Sequence, residues 1–250
     1  MIQRIALLLA GLALALPAMG QTTLNGAGAT FPYPMYSKWF SEYNKLHSDV
    51  QINYQSIGSG GGIRQVLNGT VDFGASDGPM SDEQLAQSKV KILHIPTVMG
   101  AVVPAYNVPG VSAEIKFTPE ALAGIFLGNI TNWNDPAITK ANPGVNFPNQ
   151  SIIVVYRSDG SGTTFIFTDY LSKVSTEWEK GPGRNAAISW PAGLGAKGND
   201  GVTGLLKQQA SGTHNGPRSS ACAMIPSGPM PVRSKGIQVN MPLMPRHSMH

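Results

Sequence analysis

The stretch SIIVVYRSDGSGTTFIFTDYL, residues 151–171, decides how this chain folds. It opens on an apolar run, 152–156, whose β-branched residues suit a buried strand, and it closes on 165–171, whose apolar spacing suits a helix. Between them, RSDGSGTT (157–164) places one cation, one anion, two glycines and four hydroxyl residues in eight positions. A flexible turn with an N-cap would account for that composition. A cradle for an anion accounts for it as well. Glycine allows close backbone approach, and hydroxyls add donors. The first N–H groups of a helix lack internal partners, and the helix dipole favours negative charge there. Two related turns, NGAGATFP (25–32) and IGSGGGIR (57–64), also follow a short strand and precede a helix. One such turn is weak evidence, but three in one chain favour the cradle.

Outward from these turns the chain alternates strand and helix. Strands are expected at 22–25, 50–57, 70–76, 101–107 and 151–157. Tyr36, Trp39, Phe40 and Tyr43 recur at helical spacing, and Ile63, Val66 and Leu67 mark a short helix. Ser81 and Gln84 form a capping-box pattern. Thr118-Pro119 starts a helix that runs to Leu127 and stops at Gly128. The helix after the 157–164 turn is expected over 163–173. Alternating units of this kind predict an α/β fold with an open, mostly parallel sheet, in which ligands bind off the carboxyl ends of the strands.

The formal charge of +4 is unevenly placed. Arg4 lies at the start, and Arg218, Arg233, Lys235 and Arg246 lie near the end, where no acid occurs after Asp200. Residues 21–207 carry 13 Lys and Arg against 14 Asp and Glu, a net of −1. The basic balance therefore belongs to the ends and does not describe a nucleic-acid surface. The first 20 residues, MIQRIALLLAGLALALPAMG, read as a secretory signal. Arg4 supplies the positive start, 5–16 is an apolar run too short to span a bilayer comfortably, and Ala18 and Gly20 precede a cut before Gln21. The lone cysteine, Cys222, implies a body held by its core rather than by disulfides. Residues 208–250 are rich in Pro, Ser, Gly and Met without helical or strand period, and are expected to be disordered.

The turn sequences resemble those of the periplasmic phosphate-binding proteins of bacterial phosphate ABC transporters, the PstS family. GAGATFP (26–32), IGSGGG (57–62), VDFGASD (71–77), GIFLGNITNWND (124–135), RSDGSGTT and GLGAKGNDGV (193–202) carry the resemblance. They stand in the family order from Leu24 to about Lys207 and do not extend into the tail. The resemblance implies a type II periplasmic-binding-protein-like fold, with two α/β domains around a ligand cleft. Domain I would run over 21–106 and domain II over 107–207, with residues 208–250 a non-family tail. It further implies that domain I is incomplete, since family members continue past this point and return into it. The implied function is to bind inorganic phosphate in the periplasm and deliver it, as a monomer, to the membrane permease subunits of a phosphate ABC transporter, with no cofactor and no nucleic acid.

The family's ligand residues carry over where motifs match. Thr30 and Phe31 would donate from the first helix start and Ser59 from the second turn. Asp77 would be the carboxylate acceptor. Arg157 would be the cation, held by Asp159, and Ser161, Gly162 and Thr163 would supply further donors. The chemistry agrees with these roles. Phosphate near neutral pH keeps a proton that a buried carboxylate can accept, whereas sulfate has none and would leave that acceptor unpaired.

Rival readings are weaker. A secreted phosphate-scavenging or surface interaction protein of the same fold would look alike in sequence. Gly74-Ala75-Ser76-Asp77-Gly78 fits the G-x-S-x-G elbow of serine hydrolases, with Ser76 as nucleophile. That elbow needs a helix to start at once, and here Gly78-Pro79 intervenes. No P-loop lysine follows GSGTT, and no histidine or cysteine cluster suggests a metal. The expected protein is not an enzyme.

Overall fold

The computed structural model describes residues 21–211, 220–227 and 238–239. The expected signal segment lies outside them. The first layer opens with β1 (Thr22–Gly28), α1 (Tyr33–Leu46), β2 (Val50–Ser56), α2 (Ser59–Asn68), β3 (Phe73–Ala75) and the short α3 (Asp82–Ala86). Its three strands are parallel in the order β2-β1-β3, with Thr22 opposite Val50 and Gly26 opposite Phe73. The capping box forms as expected: Ser81 Oγ accepts from the Gln84 N–H at 3.3 Å, and the Ser81 N–H donates to Gln84 Oε1 at 3.0 Å.

A second sheet has five strands in the order β6-β5-β7-β4-β8. They are β4 (Ala101–Asn107), β5 (Ile152–Arg157), β6 (Leu194–Ala196), β7 (Ser220–Ser227) and β8 (Gln238–Val239). The strand β5 runs parallel to β6 and β7, and β4 runs antiparallel to β7 and β8. Helices α4 (Pro119–Leu127), α5 (Pro136–Thr139), α6 (Gly162–Val174), α7 (Thr176–Lys180) and α8 (Gly198–Ser211) complete this half. The α4 boundaries follow the expected chemistry. Thr118 Oγ1 accepts from the Ala121 N–H at 3.1 Å, Pro119 begins the helix, and Gly128 ends it at φ 81°.

Two expectations differ from the structure. The strand 101–107, assigned mostly to domain I, pairs within the second sheet. Residues 220–227, expected to be disordered, form β7 between β4 and β5, with Ala221, Cys222 and Ala223 fully buried. The segment SACAMIPS lacks strand alternation because both faces are covered, so it reads as a short apolar run that periodicity cannot assign. Most of the rest of 212–250 lies outside the described residues.

Burial is unequal between the halves. One buried cluster gathers Tyr106, Phe126, Trp133, Phe167, Leu171 and Trp178, and a second gathers Val103, Val155, Val202, Leu206, Ala223 and Ile225. Both surround the five-stranded sheet. Around the three-stranded sheet, Tyr36 packs against Trp39, Phe40 and Tyr54. Trp39 remains 43% exposed, and Leu93, Ile95 and Met99 along the following segment are more exposed still. These side chains border a cavity of about 1040 Å³ that also reaches Phe73, Asp77 and Thr163.

The placement of β7 has a direct chemical consequence. Cys222 is fully buried, and burial pushes its thiol up to about 12. In native buffer the thiol is expected to resist a soluble alkylating reagent and to react only when denaturant opens the sheet. Native-state labelling at the rate of an unfolded cysteine peptide would remove β7 from the core.

Candidate anion-binding site

The three glycine-rich turns meet where the two sheets face each other. β1, β2 and β5 lead by their carboxyl ends into 25–32, 57–64 and 157–164, and α1, α2 and α6 leave from them. Two backbone contacts show how closely they meet. The Gly60 N–H donates to the Gly160 carbonyl at 3.0 Å, and a Cβ at Gly60 would stand 3.1 Å from Gly160 Cα. Gly58 sits at φ 85°, a left-handed conformation that disfavours a side chain, and a Cβ there would lie 2.6 Å from Asp159 Oδ2.

Arg157, the last residue of β5, is almost wholly buried, and its guanidinium is gripped on two sides. Nε donates to Asp159 Oδ1 at 2.7 Å and Nη2 donates to Asp159 Oδ2 at 2.6 Å, a bidentate pair of fixed geometry. Nη1 donates to Asn199 Oδ1 at 2.6 Å and, more weakly, to Thr30 Oγ1 at 3.4 Å. Thr30 belongs to the turn after β1, so this contact joins the two halves. Burial pushes the Asp159 carboxyl up, but the Arg157 guanidinium and the Gly198 N–H, at 3.0 Å from Oδ1, outweigh it and hold the group below the ordinary carboxylate range.

Asp77 lies beyond the end of β3, against the amino end of α6. A Cβ on Gly162 would stand 2.7 Å from Asp77 Oδ2, so only glycine admits the carboxyl here. The Asp77 N–H donates to Ser59 Oγ at 3.2 Å, which ties the second turn to the Asp77 backbone. Burial pushes the Asp77 carboxyl up to about 6, against the pull of Arg157 and of the Thr163 side chain and N–H. Thr163 Oγ1 itself is buried; it lies close enough to Asp77 to pull on its carboxyl, but makes no well-aligned hydrogen bond among the described residues. It is a polar atom with unused capacity beside the carboxylate.

The remaining expected residues are placed differently. Ser161 is the N-cap of α6: its hydroxyl accepts from the Thr164 N–H at 3.3 Å and its own N–H donates to the Ala186 carbonyl at 2.9 Å. Its backbone donor is therefore already engaged. Phe31 lines the cavity beside Asp77 and Thr163. Ser76 Oγ turns back on its own loop and donates to the Gly78 carbonyl at 2.6 Å, and no helix starts there. His94 accepts from the Met80 N–H rather than facing Ser76. This geometry does not build a hydrolase elbow. Among the described residues no group of histidine, cysteine or acidic side chains could hold a metal ion.

Sequence reasoning missed Asn199 and Gly198. The motif GLGAKGNDGV contains both, and its Gly-Asn pair at a helix start was the available signal.

The burial of Asp77 makes a signed prediction for the ligand-free protein. Its folded value lies above the ordinary 3.8, so folding favours the neutral form. That contribution is fully present below the ordinary value and is lost as pH rises through about 6. Asp77→Asn is therefore expected to raise ligand-free stability at neutral pH by on the order of 1–3 kcal/mol and to give no gain near pH 3.5. Urea midpoints at the two pH values check this, and equal midpoint shifts at both would rule out a desolvated carboxylate.

The model of the PBP superfamily domain matches residues 15–221. The phosphate-binding protein PstS of Pasteurella multocida is 54% identical over 187 residues, covering 74% of this chain and 54% of the relative. The phosphate-binding protein PstS of Haemophilus influenzae is 48% identical over 194 residues, covering 77% and 57%. The chain thus spans about half the length of the curated relatives it matches. Among solved structures, a phosphate-binding protein from Stenotrophomonas maltophilia superposes with a TM-score of 0.61 at 20% identity, over 86% of this chain and 63% of that one. That likeness is of fold, the α/β architecture of type II periplasmic binding proteins. By the extent of the family match, the chain belongs to the PBP superfamily.

Proposed function

We propose that this chain binds inorganic phosphate between its two sheets, outside the cytoplasm, and presents it to the membrane subunits of a phosphate ABC transporter. One observation carries the reading. A half-buried, desolvated carboxylate, Asp77, stands among donors at the amino end of α6, and desolvation raises it to about 6. An anion receptor with such an acceptor suits an anion that brings its own proton. The names of the relatives, phosphate-binding proteins, support the same ligand.

The donors fit the ligand. Thr30 and Thr163 offer hydroxyls, and Arg157 offers a guanidinium whose charge Asp159 partly cancels. Binding would then rest on oriented N–H and O–H dipoles as much as on net charge, as at other helix-terminus anion sites.

Proton counting gives the selectivity. Dihydrogen phosphate on ionised Asp77 and monohydrogen phosphate on neutral Asp77 yield the same hydrogen-bonded complex. Sulfate can reach an equivalent complex only with neutral Asp77. Calorimetric titration is therefore expected to show phosphate bound across pH 5–8, with sulfate weak at neutral pH and strengthening as pH falls through about 6. Asp77→Asn should narrow the preference for phosphate over sulfate. Equal affinity for both anions at neutral pH in the unmodified chain would sink the reading.

Arg157 supplies a second test. Arg157→Lys keeps a cation but loses the planar fork, and is expected to weaken phosphate about tenfold, or about 1.4 kcal/mol. An affinity change below about 0.5 kcal/mol, the range of an exposed ion pair, would place Arg157 outside the site.

A further inference from the structure

The guanidinium of Arg157 has two edges, and Asp159 holds only one of them. Its carboxylate takes Nε and Nη2. Among the described residues, Nη1 makes one short bond, donating to Asn199 Oδ1 at 2.6 Å, while Thr30 Oγ1 stands at 3.4 Å. Without Asn199, the Cζ–Nη1 edge that faces the first half of the molecule would have no firm anchor. We propose that Asn199 is a positioning residue that fixes Nη1 of Arg157 for the bound anion, acting through Arg157 and not on the ligand. The proposal rests on the phosphate reading above.

The local build supports this role. Gly198 and Asn199 are adjacent at the start of α8, and each holds one member of the ion pair. The Gly198 N–H donates to Asp159 Oδ1 at 3.0 Å, and Asn199 accepts from Arg157. Gly198 adopts φ 70°, a left-handed conformation that turns the chain so that both groups point at the pair. The helix behind them is anchored, since Val202 and Leu206 are buried in the core of the five-stranded sheet. The clamp is therefore seated on packed structure and not on a free loop.

The amide is the suitable chemistry at this place. It accepts a hydrogen bond without adding charge. An aspartate there would set a second carboxylate about 2.6 Å from a guanidinium that already has one. Two carboxylates on one cation would give the pocket a net negative charge and oppose a multiply charged anion.

Nitrogen-15 NMR of the Arg157 guanidinium in ligand-free protein, with calorimetry using inorganic phosphate and sulfate, tests the role in the unmodified chain, Asn199→Ala and Asn199→Asp. In Asn199→Ala, rotation about Cζ–Nη1 is expected to quicken several-fold while Cζ–Nη2, held by Asp159, stays slow. Phosphate affinity should fall about tenfold, the scale of one hydrogen bond to a charged group. In Asn199→Asp, Nη1 should stay slow, yet phosphate should bind more weakly than to the alanine variant, with the deficit growing as pH rises and the new carboxylate ionises. A loss of packing alone would not separate Nη1 from Nη2 or give a pH-dependent deficit. Unchanged Nη1 rotation in Asn199→Ala, or phosphate affinity within about twofold of the unmodified chain, overturns the proposal. If the unmodified chain binds neither anion, the phosphate reading fails instead, and Nη1 rotation alone decides whether Asn199 positions Arg157.

Discussion

The buried pair of Arg157 and Asp159 is the constraint on which the rest of the site depends. A guanidinium at the end of a central strand cannot be left unpaired, because breaking a buried ion pair costs about 3–5 kcal/mol. The fold answers by gripping it from several directions. Asp159 grips from its own turn, the start of α8 grips from the next crossover, and Thr30 reaches it from the other sheet. Gly58 is glycine because the pair occupies the space a side chain would need. The cation thus adds a contact between the two halves to the backbone bond from Gly60 to Gly160.

Asp77 sets the opposite problem and solves it differently. Its carboxylate has no partner of comparable grip, so desolvation dominates and the proton is held more tightly than in water. Close by lie one fixed positive charge, one paired acid and one acid poised near 6. Under the proposed reading, such a set would distinguish anions by whether they bring a proton, and with few net charges.

The two halves differ in how they are stabilised. The five-stranded sheet is packed on both sides, and its large aromatic residues, Trp133, Trp178 and Phe126, are wholly buried. The three-stranded sheet relies on aromatic contacts among Tyr36, Phe40, Tyr54 and Phe73, while several apolar side chains beside it remain in solvent. Yet Thr30, Ser59 and Asp77 all come from that less buried half. The candidate site residues of the first half therefore contact the second through Gly60 to Gly160 and Thr30 to Arg157.

The sequence by itself determined what is local. Strand 151–157 running into a helix, the capping box at Ser81, the start of α4 at Thr118-Pro119 and its stop at Gly128 are each fixed by neighbours a few residues apart, and all were legible. The family motifs also named Arg157, Asp159, Thr30, Ser59, Asp77 and Thr163, and the fold brings these together. Tertiary structure alone decided the rest. Residues 220–227 carry no period that marks a strand, because a strand inserted between β4 and β5 is buried on both faces and shows no alternation. The strand 101–107 was legible as a strand, but its place in the second sheet is set by pairing with β7 and β8, far away along the chain. Ser161 spends its N–H on Ala186, and Asn199 meets Arg157 from 42 residues away. The protonation of Asp77 near 6 also belongs to the folded state, since it comes from desolvation by residues that only folding brings around it.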